Sequence, residues 1–234
     1  MKEAEIVERL EAMGDPARAR VSQVFFKTGP GQYGEGDLFV GLTVPQVRAL
    51  AKEVQALSQA EIIRLLHSPL HEARLLALFL LIRAFAKGDE TARERIFTLY
   101  LQNARYINNW DLVDCSAEHI VGAHLWTRGR SVLDTLAESS LLWERRICIL
   151  ATFHFIKRGA FGDTLRLAER LVADREDLMQ KAIGWMLREV GKRDLAAEEA
   201  FLQRHCRSMP RTMLRYAIER FEEETRQRYL RGEV

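Results

Sequence analysis

Apolar residues recur at helical spacing along nearly the whole chain beyond residue 43: Val47, Leu50, Ala51 and Val54, then Ile62, Ile63, Leu65 and Leu66, then Leu75, Leu78, Phe79 and Ile82. A period of about 3.6 gives each segment one apolar stripe, and no stretch sustains the alternation that a half-buried strand requires. Breakers are scarce. Only 14 Gly and 5 Pro occur, and several crowd into Thr28-Gly29-Pro30-Gly31, leaving too few turns for a sandwich or barrel. With 47% hydrophobic and 29% charged residues, the chain has the means to bury a core. An all-α protein of about twelve to fourteen helices is expected. Asp15-Pro16 and Ser58-x-x-Glu61 read as helix starts, and Gly88, Gly159 and Gly191 as stops.

A weak internal repeat organises these helices. A shift of 71 residues superposes Arg74 on Arg145, Phe85 on Ile156, Lys87 on Arg158 and Gly88 on Gly159, which is two periods of about 35. Helices beginning near 72, 107, 143, 178 and 209 fall on that period. It is the period of helical-hairpin solenoids, in which one helix of each pair lines a concave surface. The expectation is a single domain over 1–234, built as a right-handed α-solenoid.

Net charge is +2, too balanced to imply a nucleic-acid partner by itself. The distribution says more. Arg outnumbers Lys by 28 to 7, and the planar guanidinium suits phosphate, carboxylate and ring faces. Between Gln203 and Ala217 lie Arg204, Arg207, Arg211 and Arg215 with no acid. Three cysteines, Cys115, Cys148 and Cys206, give no disulfide or zinc-knuckle pattern. The opening residues are acidic and amphipathic rather than leader-like. The longest apolar runs, such as Leu75 to Ile82, fall far short of the roughly 20 residues that cross a bilayer. A monomer of a reducing, cytoplasmic compartment, without membrane contact, is expected.

The segment from Tyr106 to Asp114, Tyr-Ile-Asn-Asn-Trp-Asp-Leu-Val-Asp, carries the most chemistry. Asn109 can cap a helix, and Trp110 and Asp114 then share one face, an indole beside a carboxylate. In Lys181-Ala-Ile-Gly-Trp185-Met-Leu-Arg188 a second indole shares a face with a cation, and Trp143-Glu-Arg145-Arg146 lies between the two segments. If the helices starting near 107, 143 and 178 are inner members of successive repeats, Asp114, Arg146 and Trp185 point into one groove. The loop Thr28 to Asp37 has four Gly but matches neither a Walker A loop nor a dinucleotide fingerprint. Cys115 and His119 stand at C-x-x-x-H with no second ligand pair, and no G-x-S-x-G nucleophile occurs.

Three of these segments, Asn-Asn-Trp110-Asp-Leu-Val-Asp114, Trp143-Glu-Arg-Arg146-Ile-Cys-Ile and Gln180-Lys-Ala-Ile-Gly-Trp185-Met-Leu-Arg188-Glu, resemble the AlkD-type DNA alkylation repair enzymes. Those are glycosylases built from HEAT-like helical repeats, and the resemblance runs from about Pro16 to Arg220. It implies that Trp110, Asp114, Arg146 and Trp185 form an active-site cleft and that Arg188 faces phosphate. Phe25 stands where some members have Tyr, and the Gly-rich loop is longer than in those members. The implied activity is excision of cationic N3- and N7-alkylpurines from duplex DNA, with the lesion left stacked rather than flipped.

That chemistry suits the residues present. The base leaves neutral, so the reaction needs a carboxylate to stabilise oxocarbenium character and position water, and aromatic faces to hold a cationic nucleotide. Asp114, Trp110 and Trp185 are the candidates for that work. Arg145, Arg146, Lys181, Arg188, Arg211 and Arg215 are the candidate DNA-binding residues. No metal or cofactor is expected. The competing class is a non-catalytic HEAT-repeat scaffold that binds DNA structures or protein partners, since a fold alone does not fix function. The expected location is the cytoplasm, in association with the nucleoid.

Overall fold

The computed structural model describes residues 2–54 and 57–234. It is all-helical. The one β-type pairing among the described residues is an isolated parallel bridge between Leu38 and Leu70. The chain divides into two compact units, one ending at Ser116 and the other beginning at Ala117.

In chain order the first unit contains α1 (Glu3–Ala12), α2 (Pro16–Phe25), α3 (Val44–Glu53), α4 (Gln59–Leu66), α5 (His71–Lys87), α6 (Glu90–Gln102) and the start of α7 (Trp110–Ala117), with a 3₁₀ turn at Ala104–Tyr106. The expected caps are in place. Asp15 accepts the N–H groups of Ala17 and Arg18, and Ser58 and Glu61 form a reciprocal capping box. The core centres on α5, which packs against α3, α4 and α6. Every residue from His71 to Leu81 is buried, so the first half of this helix is enclosed on all sides. Three of those residues, His71, Glu72 and Arg74, are polar and must find partners inside. Glu72 finds three: its carboxylate accepts the N–H groups of Val40, Gly41 and Leu42 at 3.1, 2.8 and 3.1 Å.

The second unit opens with a π-helical turn at Glu118–Gly122 and continues with α8 (Ala123–Leu125), α9 (Ser131–Ala137), α10 (Leu142–Ala151), α11 (Phe153–Ile156), α12 (Gly162–Arg170), α13 (Asp177–Gly191), α14 (Leu195–His205) and α15 (Arg211–Ala217). A 3₁₀ turn, Ile218–Arg220, and α16 (Glu223–Arg231) complete it. Here α13 is central, packed against α10, α14 and α15. Two of its glycines exist for contact. A Cβ on Gly184 would stand 2.4 Å from the Met213 carbonyl oxygen, so α13 and α15 touch backbone to backbone. A Cβ on Gly191 would fall 1.6 Å from Oε2 of Glu198, whose buried carboxyl occupies the space a side chain would need. Oε1 of Glu198 has no hydrogen-bond partner among the described residues.

The helices expected near 72, 143 and 178 begin at His71, Leu142 and Asp177, and those expected near 107 and 209 begin slightly later, at Trp110 and Arg211. The 71-residue shift has a physical counterpart. Ser68 Oγ accepts the Leu70 N–H at 3.1 Å, and Arg74 reaches back to the Ser68 carbonyl at 3.0 Å. Ser139 Oγ accepts the Leu141 N–H at 3.0 Å, and Arg145 returns to the Ser139 carbonyl at 2.9 Å. Thirty-five residues further on, Asp174 accepts the Glu176 N–H at 2.9 Å and Gln180 returns to the Asp174 carbonyl at 3.1 Å. The same clasp thus sets the start of α5, α10 and α13.

Candidate functional site

In the first unit, the Asn109 carbonyl accepts the N–H of Val113 at 3.2 Å, the first bond of α7, and the Asn109 side chain accepts the N–H of Trp110 at 2.9 Å. Trp110 is therefore the first residue of the helix. Its indole is half-buried against a wall of rings: Phe26 stacks on it at 5.3 Å and 24°, and Phe25 meets it edge-on at 5.9 Å. Phe26 in turn stacks on Phe39 at 5.0 Å. Asp114 lies one turn further along the same face of α7 and is also half-buried. The structure thus sets an indole with packed neighbours beside a carboxylate that retains access to solvent.

Asp111, between them, turns inward. Its Oδ2 lies 2.8 Å from Nε2 of His71, whose other nitrogen is 3.5 Å from Asp37 Oδ2. Arg74 completes the cluster at 2.6 Å from the same Asp37 oxygen. Burial works to raise the Asp37 pKa, but the neighbouring His71 and the Arg74 charge outweigh it and hold the carboxyl below its usual range. Sequence reading missed this cluster, because its acids come from a loop and a helix 34 residues before and 40 residues after His71. Neighbouring Cys115 is no nucleophile: burial, with Asp111 and Asp114 adding to it, pushes its thiol up to about 11.

α2 flanks Trp110 and has no buried residue; Val21, Val24 and Phe25 stand exposed on it. From Pro16 to Gly34 the sequence holds Arg18, Arg20 and Lys27 and no acid.

In the second unit, Trp185 is half-buried in α13; its Nε1–H donates to Glu189 Oε1 at 3.2 Å and its ring meets Phe153 edge-on at 5.8 Å. Burial works to raise the Glu189 pKa, yet Lys192 and Arg193 hold it below the usual carboxylate range, so the indole has an anionic acceptor. Arg146 is only 4% exposed and donates to the Leu178 carbonyl at the start of α13. Arg145, one residue earlier and therefore turned about 100° around the helix, pairs with Asp174 at 2.8 Å in addition to its clasp. Lys181 pairs with Asp177 at 2.7 Å, and Arg188 pairs with Glu219. Arg211 and Arg215 are exposed on α15. Arg211 donates to the Leu230 carbonyl at 2.8 Å and Arg207 to the Val234 carbonyl at 3.4 Å.

Among the described residues no group of three or more His, Cys, Asp or Glu side chains could hold a metal ion, and no helix is long and apolar enough to cross a membrane.

Comparison with known proteins agrees with the motifs. No curated protein matches the chain significantly. Its fold is similar to a solved structure from Enterococcus faecalis described as a predicted DNA alkylation repair enzyme, with a TM-score of 0.68 at 16% identity, covering 90% of this chain and 97% of that one. The model of the DNA alkylation repair enzyme family matches residues 6–221, nearly the whole chain and all three motifs. The chain belongs to the DNA alkylation repair enzyme family.

Proposed function

We propose that the protein is a monofunctional DNA glycosylase that hydrolyses the N-glycosidic bond of cationic N3- and N7-alkylpurines in duplex DNA. The observation that carries this reading is the pairing on α7 of Asp114, half-buried and open to solvent, with a ring-walled Trp110 on the same face. An alkylated purine leaves as a neutral base, so bond breaking needs no strong general acid. The demand falls on the sugar, whose C1′ takes on positive charge as the bond lengthens. Asp114 stabilises that charge and orients the attacking water, which delivers its oxygen to C1′ and releases a proton to solvent. Trp110, on the same face of α7 as Asp114, offers its indole to the cationic nucleotide.

The cations divide by how firmly they are held. Arg211 and Arg215 are exposed and available to phosphates. Lys181, whose pair with Asp177 is solvent-exposed, exchanges that carboxylate for a phosphate at small cost, whereas Arg188 is largely buried and held by Glu219. Arg145, tied to Asp174, Ser139 and Ser140, and Arg146, buried on the Leu178 carbonyl, act on DNA chiefly by fixing the starts of α10 and α13. The test is to incubate the purified protein with a duplex containing N7-methylguanine and detect free base by chromatography. Release of the base supports the glycosylase, whereas DNA binding without release points to a non-catalytic binder.

A further inference from the structure

We propose that His71 is a positioning residue: an imidazolium clasped between Asp37 and Asp111 that fixes the first turn of α7 and with it Trp110 and Asp114. The inference rests on the reading of those two residues as the reacting site.

His71 is buried at the start of α5, where the backbone already grips the loop before α3. Its N–H donates to the Leu38 carbonyl at 2.8 Å, Leu38 N–H donates to the Pro69 carbonyl at 3.0 Å, and Glu72 receives the amides of Val40, Gly41 and Leu42. From this anchored point the imidazole reaches Asp111 Oδ2 at 2.8 Å and lies at ion-pair distance, 3.5 Å, from Asp37 Oδ2. Asn108, two residues before α7, adds a long contact of 3.4 Å to the other Asp37 oxygen. Asp111 is the second residue of α7, so its carboxylate and the helix start move together.

Both ring nitrogens face carboxylate oxygens. A neutral imidazole has one N–H and one lone pair, and the lone pair would then point at an acceptor. Charge leads to the same result. The groups facing His71 are Asp37 from the loop, Asp111 from α7 and Arg74 from its own helix, while Glu72 is turned to the loop amides. Two carboxylates against one guanidinium leave a net negative charge in a buried site, and the imidazolium cancels it. The ring neighbours favour the cation too: Phe39 stacks on the imidazole at 4.5 Å, Phe26 lies tilted to it at 5.1 Å, and the same Phe26 stacks on Trp110. Although burial works against the charged form, Asp111 and Asp37 outweigh it and raise the His71 pKa above its ordinary value. The clasp is therefore held below that raised value and opens as pH rises through it.

Two measurements test this. In the wild-type protein, imidazole nitrogen chemical shifts followed by NMR should show His71 doubly protonated at pH 7.5, and the Trp110 indole N–H resonance should move as His71 titrates. In single-turnover excision from an N7-methylguanine duplex, H71Q should slow base release by ~10- to 100-fold, the scale of a misplaced reacting group, with DNA affinity retained. H71Q/D111N, which removes one negative charge with the positive one, should recover most of that rate and the wild-type Trp110 resonance. A His71 that is neutral at pH 7.5, or a double variant no better than H71Q in both rate and resonance, overturns the proposal. The NMR readouts need no activity: an inert wild-type protein with a protonated His71 and a coupled Trp110 refutes the glycosylase reading and leaves the clasp standing.

Discussion

Glu198→Gln should stabilise the protein, and the gain should grow with pH. The Glu198 carboxyl is buried against Gly191, with Oε1 unpartnered among the described residues. Burial pushes its pKa from 4.5 up to about 8, opposed by the charge of Arg188. Below 4.5 both native and unfolded chains hold the proton, so the residue imposes no penalty. Between 4.5 and 8 the native protein keeps the proton that the unfolded chain has released, and each pH unit costs about 1.4 kcal/mol of stability. At pH 7 the accumulated penalty is about 3 kcal/mol, which a neutral amide of the same shape avoids. For a chain of this size that corresponds to a rise in melting temperature of roughly 6–12 °C. Urea or thermal unfolding of both proteins at pH 5, 6, 7 and 8 gives the comparison. The difference should be below about 1 kcal/mol at pH 5 and widen steadily. A difference that does not change with pH, or a variant less stable than wild type at pH 7, would refute the reasoning.

Asp114→Asn should lower excision by ~10²- to 10³-fold, the scale of losing one aligned electrostatic group, while DNA affinity by fluorescence anisotropy stays level or rises as repulsion from phosphate is removed. Undiminished excision would remove Asp114 from the reaction. Affinity for undamaged duplex should fall with salt, with a log–log slope of about −0.9 per phosphate contact, and R211A/R215A should flatten that slope by about two contacts' worth; an unchanged slope would place the DNA elsewhere. Gly184→Ala gains about 1 kcal/mol of helix propensity but forces α13 away from the Met213 carbonyl, so a net loss of about 1–3 kcal/mol is expected in thermal unfolding.

Local features were legible in the sequence. Asp15, Ser58 and Glu61 cap the helices as expected, because a cap involves only residues within one turn. The starts of α5, α10 and α13 were legible because the 71-residue repeat and its period of about 35 mark them. What was not legible depends on chain segments meeting. Asp37, His71 and Asp111 are far apart in sequence, and nothing beside any of them reveals the other two. The orientation of Arg145 and Arg146 was equally hidden. Both stand among candidate phosphate ligands as a pair, yet the roughly 100° between them on α10 gives one to Asp174 and the other to the Leu178 carbonyl. Glu198 reads as one more surface acid in a charged helix until the bare backbone of Gly191 is seen against it.

The clasp at the starts of α5, α10 and α13 separates what must persist from what is free to drift. Its short arm is Ser, Ser and Asp at 68, 139 and 174, and its long arm is Arg, Arg and Gln at 74, 145 and 180. Only two demands survive across the three copies: an oxygen two residues before an amide, and an N–H donor long enough to reach back six residues. Any pair that meets them keeps the bond, so the letters can change while the geometry does not. A chain assembled from such rules loses its spelling much faster than its shape.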